Sequence, residues 1–312
     1  MKKEYVASPS TLCGAERFTY SDGKSKGVEA VRMYNGKLDL TVILDRGMDI
    51  YKLFYKGTPI SYISKNGLVS PKLAETGGYT FLNSFDAGFL YTCGLNNIGG
   101  PCEAGPLHGS NSYIPAENVS VVTEERDGEY YITLKGELHF TELFGRNLVM
   151  RREISMKYLG DEVTVTDRIT NEEFAPAEYM LMYHANMGYP MLSEKTKLTI
   201  DRRETFPVTD IYDLDRCLEF EAPTPARPEE VYRHVLNEGY GVKARLENDT
   251  LAMDVIFDTA EFPYIYEWKC MSCGDYVVGV EPMTTPMPDK VPNILNPGET
   301  AKHSVTWRFE EK

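Results

Sequence analysis

This chain predicts an all-β fold, a sandwich or barrel of large antiparallel sheets with few short helices. Three observations carry the prediction. Runs in which apolar and polar residues alternate with period two recur along most of the 312 residues. Turns rich in Gly, Asp and Pro separate them, as at Gly160-Asp161 and Asn296-Pro297-Gly298. Helical periodicity is scarce. Many short strands punctuated in this way close a core by packing sheet on sheet.

In chain order, the stretch from Gly57 to Pro115 is rich in Gly, Asn and Ser and reads as a long loop region. Long loops on a rigid scaffold tend to carry function. Within it, Ser70-Pro71 to Thr76-Gly77 could form a helical turn or two. Tyr130, Ile132, Leu134, Leu138 and Phe140 then share one strand face, with Tyr131, Thr133, Lys135, Glu137 and His139 on the other. Val163, Val165 and Ile169 alternate with Thr164, Thr166, Arg168 and Thr170. The apolar run from Tyr179 to Pro190 places Met180, Met182, His184 and Asn186 on one face, opposite Leu181, Tyr183 and Ala185. Pro228 through Gly239 predicts a short helix, with Pro near its start and Gly at its end. Leu251, Met253, Val255 and Phe257 return to period two, and Val305, Trp307 and Phe309 close the series. With no repeat, low-complexity linker or composition break, residues 1–312 read as one domain.

Composition narrows the function. A hydrophobic content of 42% with 26% charged residues is ordinary for a soluble globular protein. The net charge of −14 argues against nucleic acid and anionic membrane partners, which need a basic face. No signal peptide or membrane span is read, so the expected compartment is the cytoplasm. The six cysteines (Cys13, Cys93, Cys102, Cys217, Cys270 and Cys273) are scattered and read as reduced thiols. Cys270-Met271-Ser272-Cys273 lacks the second pair that structural zinc needs, so no metal and no cofactor is expected.

Five histidines can be weighed singly. His139 lies on a polar strand face, His234 in the expected helix, and His303 at the start of the last strand as an edge residue. His108 sits in the irregular segment Leu107-His108-Gly109 and could simply bond nearby backbone. His184 shares a face with an amide and two methionines before a Gly-Tyr-Pro break, as an imidazole presented to a pocket would; a satisfied core histidine is the alternative. Glu281 ends an apolar strand, with Gly279 two residues earlier leaving room at the sheet. Desolvation there would raise its pKa and suit it to general base work, whereas a strand-end ion pair would be structural. Arg46, between Asp45 and Asp49, is either part of an ion-pair knot or a substrate clamp. Trp268 beside Lys269 offers a sugar a stacking ring and a cation, although an ordinary amphipathic strand has the same look.

The order of five segments resembles the galactose mutarotase (aldose 1-epimerase) superfamily, within it a poorly characterised group of aldose-1-epimerase-like proteins. They are Asp45-Arg46-Gly47-Met48-Asp49, Thr92 to Gly100, Leu107-His108-Gly109, Leu181 to Pro190 and Gly279-Val280-Glu281-Pro282. The resemblance implies a β-supersandwich that binds a sugar on the concave face of a large antiparallel sheet. It implies His108, His184 and Glu281 as the catalytic set, without a metal. Glu281 would take the anomeric proton while His184, as imidazolium, protonates the ring oxygen. Ring opening, rotation and reclosure would then give the other anomer, with His108 stabilising charge. Arg46, Asn97, Asn186, Trp268 and Lys269 would contact the substrate. His108 is followed by Gly-Ser-Asn, and paired histidines are missing around His184, both departures from the mutarotase pattern.

Three other readings stay open. One is an isomerase of another sugar or sugar derivative, with Arg46 and Lys269 meeting a phosphate. The second is a non-catalytic sugar binder or sensor. The third is a two-histidine, one-carboxylate iron site, for which the tight ligand spacing is absent. The expected partner is a small carbohydrate, and an edge strand could pair two copies into a homodimer.

Overall fold

A computed structural model describes residues 3–75, 77–210 and 212–312. The alternating runs become strands because each has one face to bury, and every strand pairing between them is antiparallel. One eight-stranded sheet runs, edge to edge, Lys197–Ile200, Tyr240–Glu247, Leu251–Asp258, Thr300–Glu311, Glu162–Asn171, Asn147–Lys157, Glu129–Thr141 and Glu117–Arg126. A seven-stranded sheet runs Arg202–Pro207, Glu229–Leu236, Tyr264–Ser272, Asp275–Met283 and Ala177–Met187, with Asn293–Leu295 and Leu90–Leu95 both paired to Ala177–Met187. Five strands between Gly14 and Pro59 form a third sheet. The described helical elements are single 3₁₀ turns of three or four residues. None is long and apolar enough to cross a membrane.

The main core lies between the sheets. Leu181, Tyr183, Ala185, Val278, Val280 and Ile265 from the seven-stranded sheet join Ile154, Val163, Val165, Val305, Trp307 and Phe309 from the eight-stranded one. The Tyr183 and Trp307 rings lie 6.4 Å apart across that interface. The opposite face of the seven-stranded sheet carries a second cluster, built from Met180, Met182, Tyr91, Cys93, Tyr266 and Met283. Segments from the Gly57 to Pro115 region cover it, chiefly through Phe81, Phe85 and Ile98.

Three local expectations change and one holds. Pro228 to Gly239 contains the strand Glu229–Leu236, not a helix. Glu230, Tyr232, His234 and Leu236 are buried while Val231, Arg233 and Val235 face the other way, so period two wins once neighbouring strands are present. The region read as loop contains Leu90–Leu95, a strand buried along its whole length and hence without visible alternation. Ser70 to Gly77 contributes one turn, Pro71–Leu73; Thr76 lies outside the described residues. His303 is no edge residue: it is buried opposite Asp167 and bonded through Nε2 to the Tyr179 hydroxyl at 3.1 Å.

Candidate functional site

Strand register places the site. His184 pairs with Tyr91 on one neighbouring strand, and the Ala185–Val280 pair on the other sets Glu281 beside His184. Glu281 in turn pairs with Tyr266, and Tyr266 with Arg233. Partners in an antiparallel ladder present side chains to the same face. Tyr91, His184, Glu281, Tyr266 and Arg233 thus form one row across the sheet. The next row is Asn186, Gly279 and Trp268.

Within these rows the His184 Nε2 and Glu281 Oε1 atoms stand 3.2 Å apart, both side chains almost fully buried. They are out of line for a hydrogen bond, and Oε1 has no donor. Gly279 is what makes this approach feasible: a Cβ there would lie 2.5 Å from Glu281 Oε1 and 3.2 Å from His184 Cε1. His108 comes from the covering loop in a left-handed conformation (φ 63°), anchored by its N–H to Gly99 O and by Gly94 N–H to its own carbonyl. Its ring meets His184 edge-on with centroids 5.3 Å apart. Trp268 lies 5.3 Å and Phe85 5.7 Å from the same imidazole, while Phe81 packs on His108.

Polar atoms left without partners gather here. They include Nδ1 of His108 and of His184, Asn186 Oδ1, Glu281 Oε1 and the Tyr91 hydroxyl. Buried polar groups are normally satisfied, so these atoms offer hydrogen bonds to water or to a polar ligand. Burial, reinforced by the Glu229 charge, pushes the Glu281 carboxyl well above the usual range. Burial and then His108 push His184 far down, and burial with Lys290 takes His108 to about 4. Enclosure therefore favours a protonated Glu281 beside neutral imidazoles. The imidazolium expected at His184 is the reverse of this.

The remaining expected residues divide. Trp268 stands at the rim, its indole N–H donated to Glu229 at 2.7 Å. Asn186 is in the second row, with its Nδ2 on the His184 carbonyl. Arg46 lies one layer back, giving NH1 to the carbonyls of Val69 and Ser84, near Asp86 and with its guanidinium 5.7 Å from the rings of Tyr91 and Tyr113. Asp49 pairs instead with Arg152, so Arg46 is not in a knot with its sequence neighbours. Lys269 is not in the site. Alternation turns it to the opposite face from Trp268, and its ammonium bonds the carbonyls of Arg216, Cys217 and Glu219. Nor does Asn97 have a free amide: its Nδ2 holds the carbonyls of Gly100 and Pro106, and its Oδ1 accepts from Lys290. It braces the loop that delivers His108.

The sequence signals do not single out Tyr91, Phe81, Phe85, Tyr266 or Arg233. The helical reading hides Arg233 and the loop reading hides Tyr91, Phe81 and Phe85, while Tyr266, two residues from Trp268 on one strand, carries no signal of its own. A cavity of about 700 Å³ lies elsewhere, lined by Leu95, Asn96, Phe144, Arg146 and Glu178, and none of the three catalytic candidates borders it. No group of three or more His, Cys, Asp or Glu among the described residues is placed to hold a metal ion.

A family model described as a domain of unknown function, DUF4432, matches residues 25–297. The chain belongs to the DUF4432 family. A comparison with curated proteins returns no match. Among solved structures, this DUF4432 protein is similar to a candidate aldose 1-epimerase from Klebsiella pneumoniae, with a TM-score of 0.87 and 22% identity over 95% of this chain and 83% of that one. A galactose mutarotase-like protein from Clostridium acetobutylicum gives 0.66 at 15% identity, covering 97% and 100% of the two chains. A galactose 1-epimerase from Lactobacillus acidophilus gives 0.65 at 13%, covering 96% and 99%. The fold is thus the mutarotase-like sandwich that the motif order implied.

Proposed function

We propose that this DUF4432 protein is an aldose 1-epimerase-like isomerase that interconverts sugar anomers by acid–base catalysis without a cofactor. The observation that carries the reading is the buried His184–Glu281 contact at 3.2 Å, with His108 edge-on to His184, on a sheet face rimmed by Trp268. The same fold in proteins named as mutarotases and 1-epimerases supports it.

Anomer exchange needs one group to take the proton of the C1 hydroxyl and another to give one to the ring oxygen. Burial leaves one transferable proton on the pair, held by Glu281. Glu281 then acts as the acid toward the ring oxygen while neutral His184 receives the hydroxyl proton. The C1–O5 bond breaks, the aldehyde rotates about C1–C2, and reclosure returns both protons with the roles exchanged. His108, neutral and carrying an unpartnered Nδ1, is placed to hydrogen-bond an oxygen of the reacting centre. Two such groups, each contributing on the order of 10²–10⁴-fold, suffice for a reaction that water already performs slowly. Phe85 and Trp268 pack directly on His184, so a sugar enters by displacing or stacking on these rings.

The test is NMR exchange spectroscopy over a panel of aldoses and ketoses, with Glu281→Gln and His184→Gln as controls. Accelerated exchange for one sugar, lost by at least about 100-fold in either variant, is the expected result. Exchange unaffected by both substitutions would remove the assignment. Binding that survives in Glu281→Gln without any catalysed exchange would instead identify a sugar sensor.

A further inference from the structure

We infer that the site selects a sugar with an anionic substituent distant from the anomeric carbon, and that Arg233 receives that substituent. The inference rests on the mutarotase reading of the site and adds its substrate class.

Arg233 is the next cation along the row that holds the reacting pair. Register carries the row from Glu281 to Tyr266 and from Tyr266 to Arg233, all on the face that His184 occupies. Two inter-strand steps separate the Glu281 and Arg233 strands, about 10 Å in all. A hexose with a hydrogen bond of about 2.7–2.9 Å at each end has that reach, and because the buried Tyr266 between them is bonded through its hydroxyl to the Met287 backbone, such a sugar has to displace that segment as it seats. The guanidinium is held in place by stacking on Phe206, 4.5 Å from the ring centroid. Burial raises the Tyr266 phenol to about 12, and the Arg233 charge, acting from nearby, works the other way.

What distinguishes this arginine is its lack of a mate. In a chain with 47 carboxylates against 33 Lys and Arg, each remaining arginine except Arg202 has a carboxylate within 4.0 Å. Among the described residues Arg233 has none, and its Nε–H is buried with no acceptor. Arg202 lies at the bulged end of the edge strand, opposite the core residue Leu236. The other cations near the site are already engaged. Arg46 faces Asp86, Lys290 is held by Asn97 and Gly100, and Lys269 points to the opposite face. An arginine with no carboxylate mate is suited to a carboxylate or phosphate, which it binds through paired, charge-assisted hydrogen bonds.

The experiment compares glucose, glucuronate and glucose 6-phosphate, with the galacto series in parallel. Anomer exchange and ligand-observed NMR binding are both read, for the native protein, Arg233→Gln and Arg233→Lys. Expected is a preference of about tenfold or more for one anionic form over its neutral parent. Arg233→Gln should lose that preference, and Arg233→Lys should keep part of it. Preference for glucuronate identifies a carboxylate, and preference for the phosphate ester identifies a phosphoryl group. Equal handling of neutral and anionic sugars by the native protein, or a preference untouched in Arg233→Gln, would overturn the inference while leaving catalysed exchange intact. Arg233-dependent binding of an anionic sugar with no exchange would uphold it and refute the isomerase. No binding of any anionic sugar would refute it outright.

Discussion

Gly279 illustrates how a single missing side chain can make a site. It lies between Asn186 and Trp268 in register, and the space a Cβ would fill is the space through which Glu281 reaches His184. With Oε1 only 2.5 Å from the ideal Cβ, Gly279→Ala must push the carboxylate aside. Displacement of about 1 Å at a reacting centre can cost on the order of 100-fold in rate. The stability cost should stay near the overpacking range of about 1–3 kcal/mol. Anomer-exchange rates set beside urea unfolding curves separate the two; an alanine variant as active as the native protein would remove Gly279 from the site's design. The titration of the pair follows from the same crowding. Glu281 is raised and His184 lowered, so the one-proton state extends from acid pH to well above the ordinary carboxylate range. The pH–rate profile of kcat/KM should therefore hold a broad plateau through neutrality. Its alkaline limb should mark loss of that proton, and a profile that already falls at the ordinary carboxylate pKa would contradict the arrangement.

At the scale of elements, the site depends on a buried ionic network one layer beneath it. Arg152 is fully buried and donates from Nε and NH2 to both oxygens of Asp167, from NH1 to Asp49 and the Gly47 carbonyl, and from NH2 to Thr92. Tyr183 adds a 2.5 Å bond to Asp167, and Ser112 a 2.6 Å bond to Asp49. One guanidinium thus joins four separate strands and a covering turn, Asn111–Tyr113. Thr92 lies between Tyr91 and Cys93, which face the site, so the network fixes the strand on which His184 leans. Removing one partner strands charges in the interior, which costs about 3–5 kcal/mol. Arg152→Met should lower stability by that amount in denaturant titration. A loss below about 1 kcal/mol would mean that the strands are held by packing alone.

For the molecule as a whole, the buried histidines predict acid sensitivity. Burial takes His108 and His303 to about 4, and His184 far down, from an unfolded value of 6.5. Below pH 6.5 the unfolded chain binds protons that the folded chain refuses, so stability falls as pH drops through 6.5 toward 4. Each such histidine contributes a slope of about 1.4 kcal/mol per pH unit. Asp86, raised by burial to about 6, and Glu281 act in the opposite sense, because the folded state keeps their protons. The contribution of one residue is therefore read by difference. His303 lies outside the site, and His303→Gln should flatten the decline between pH 6.5 and 4 by roughly the single-histidine slope. Parallel stability curves for the two proteins would show that His303 protonates freely in the fold.

Period-two alternation determined the sheet class, and the Met180 to Asn186 run already carried the face on which His184 and Asn186 would sit, because side-chain direction in a strand is fixed by parity alone. Motif order brought His108, His184 and Glu281 onto one page, and Gly279 announced open space. Parity could not say which strands are neighbours. Arg233 joined the row only when Glu229–Leu236 and Tyr264–Ser272 paired in register, whereas parity along one strand already turns Lys269 away from Trp268. Leu90–Leu95, buried on both faces, gives no alternation to read, and its Tyr91 gained meaning only opposite His184. Protonation was decided at the same level. Desolvation depends on what Phe85, Trp268 and the His108 loop bring from distant parts of the chain, and such long-range burial is a property of tertiary packing, not of any local stretch of sequence.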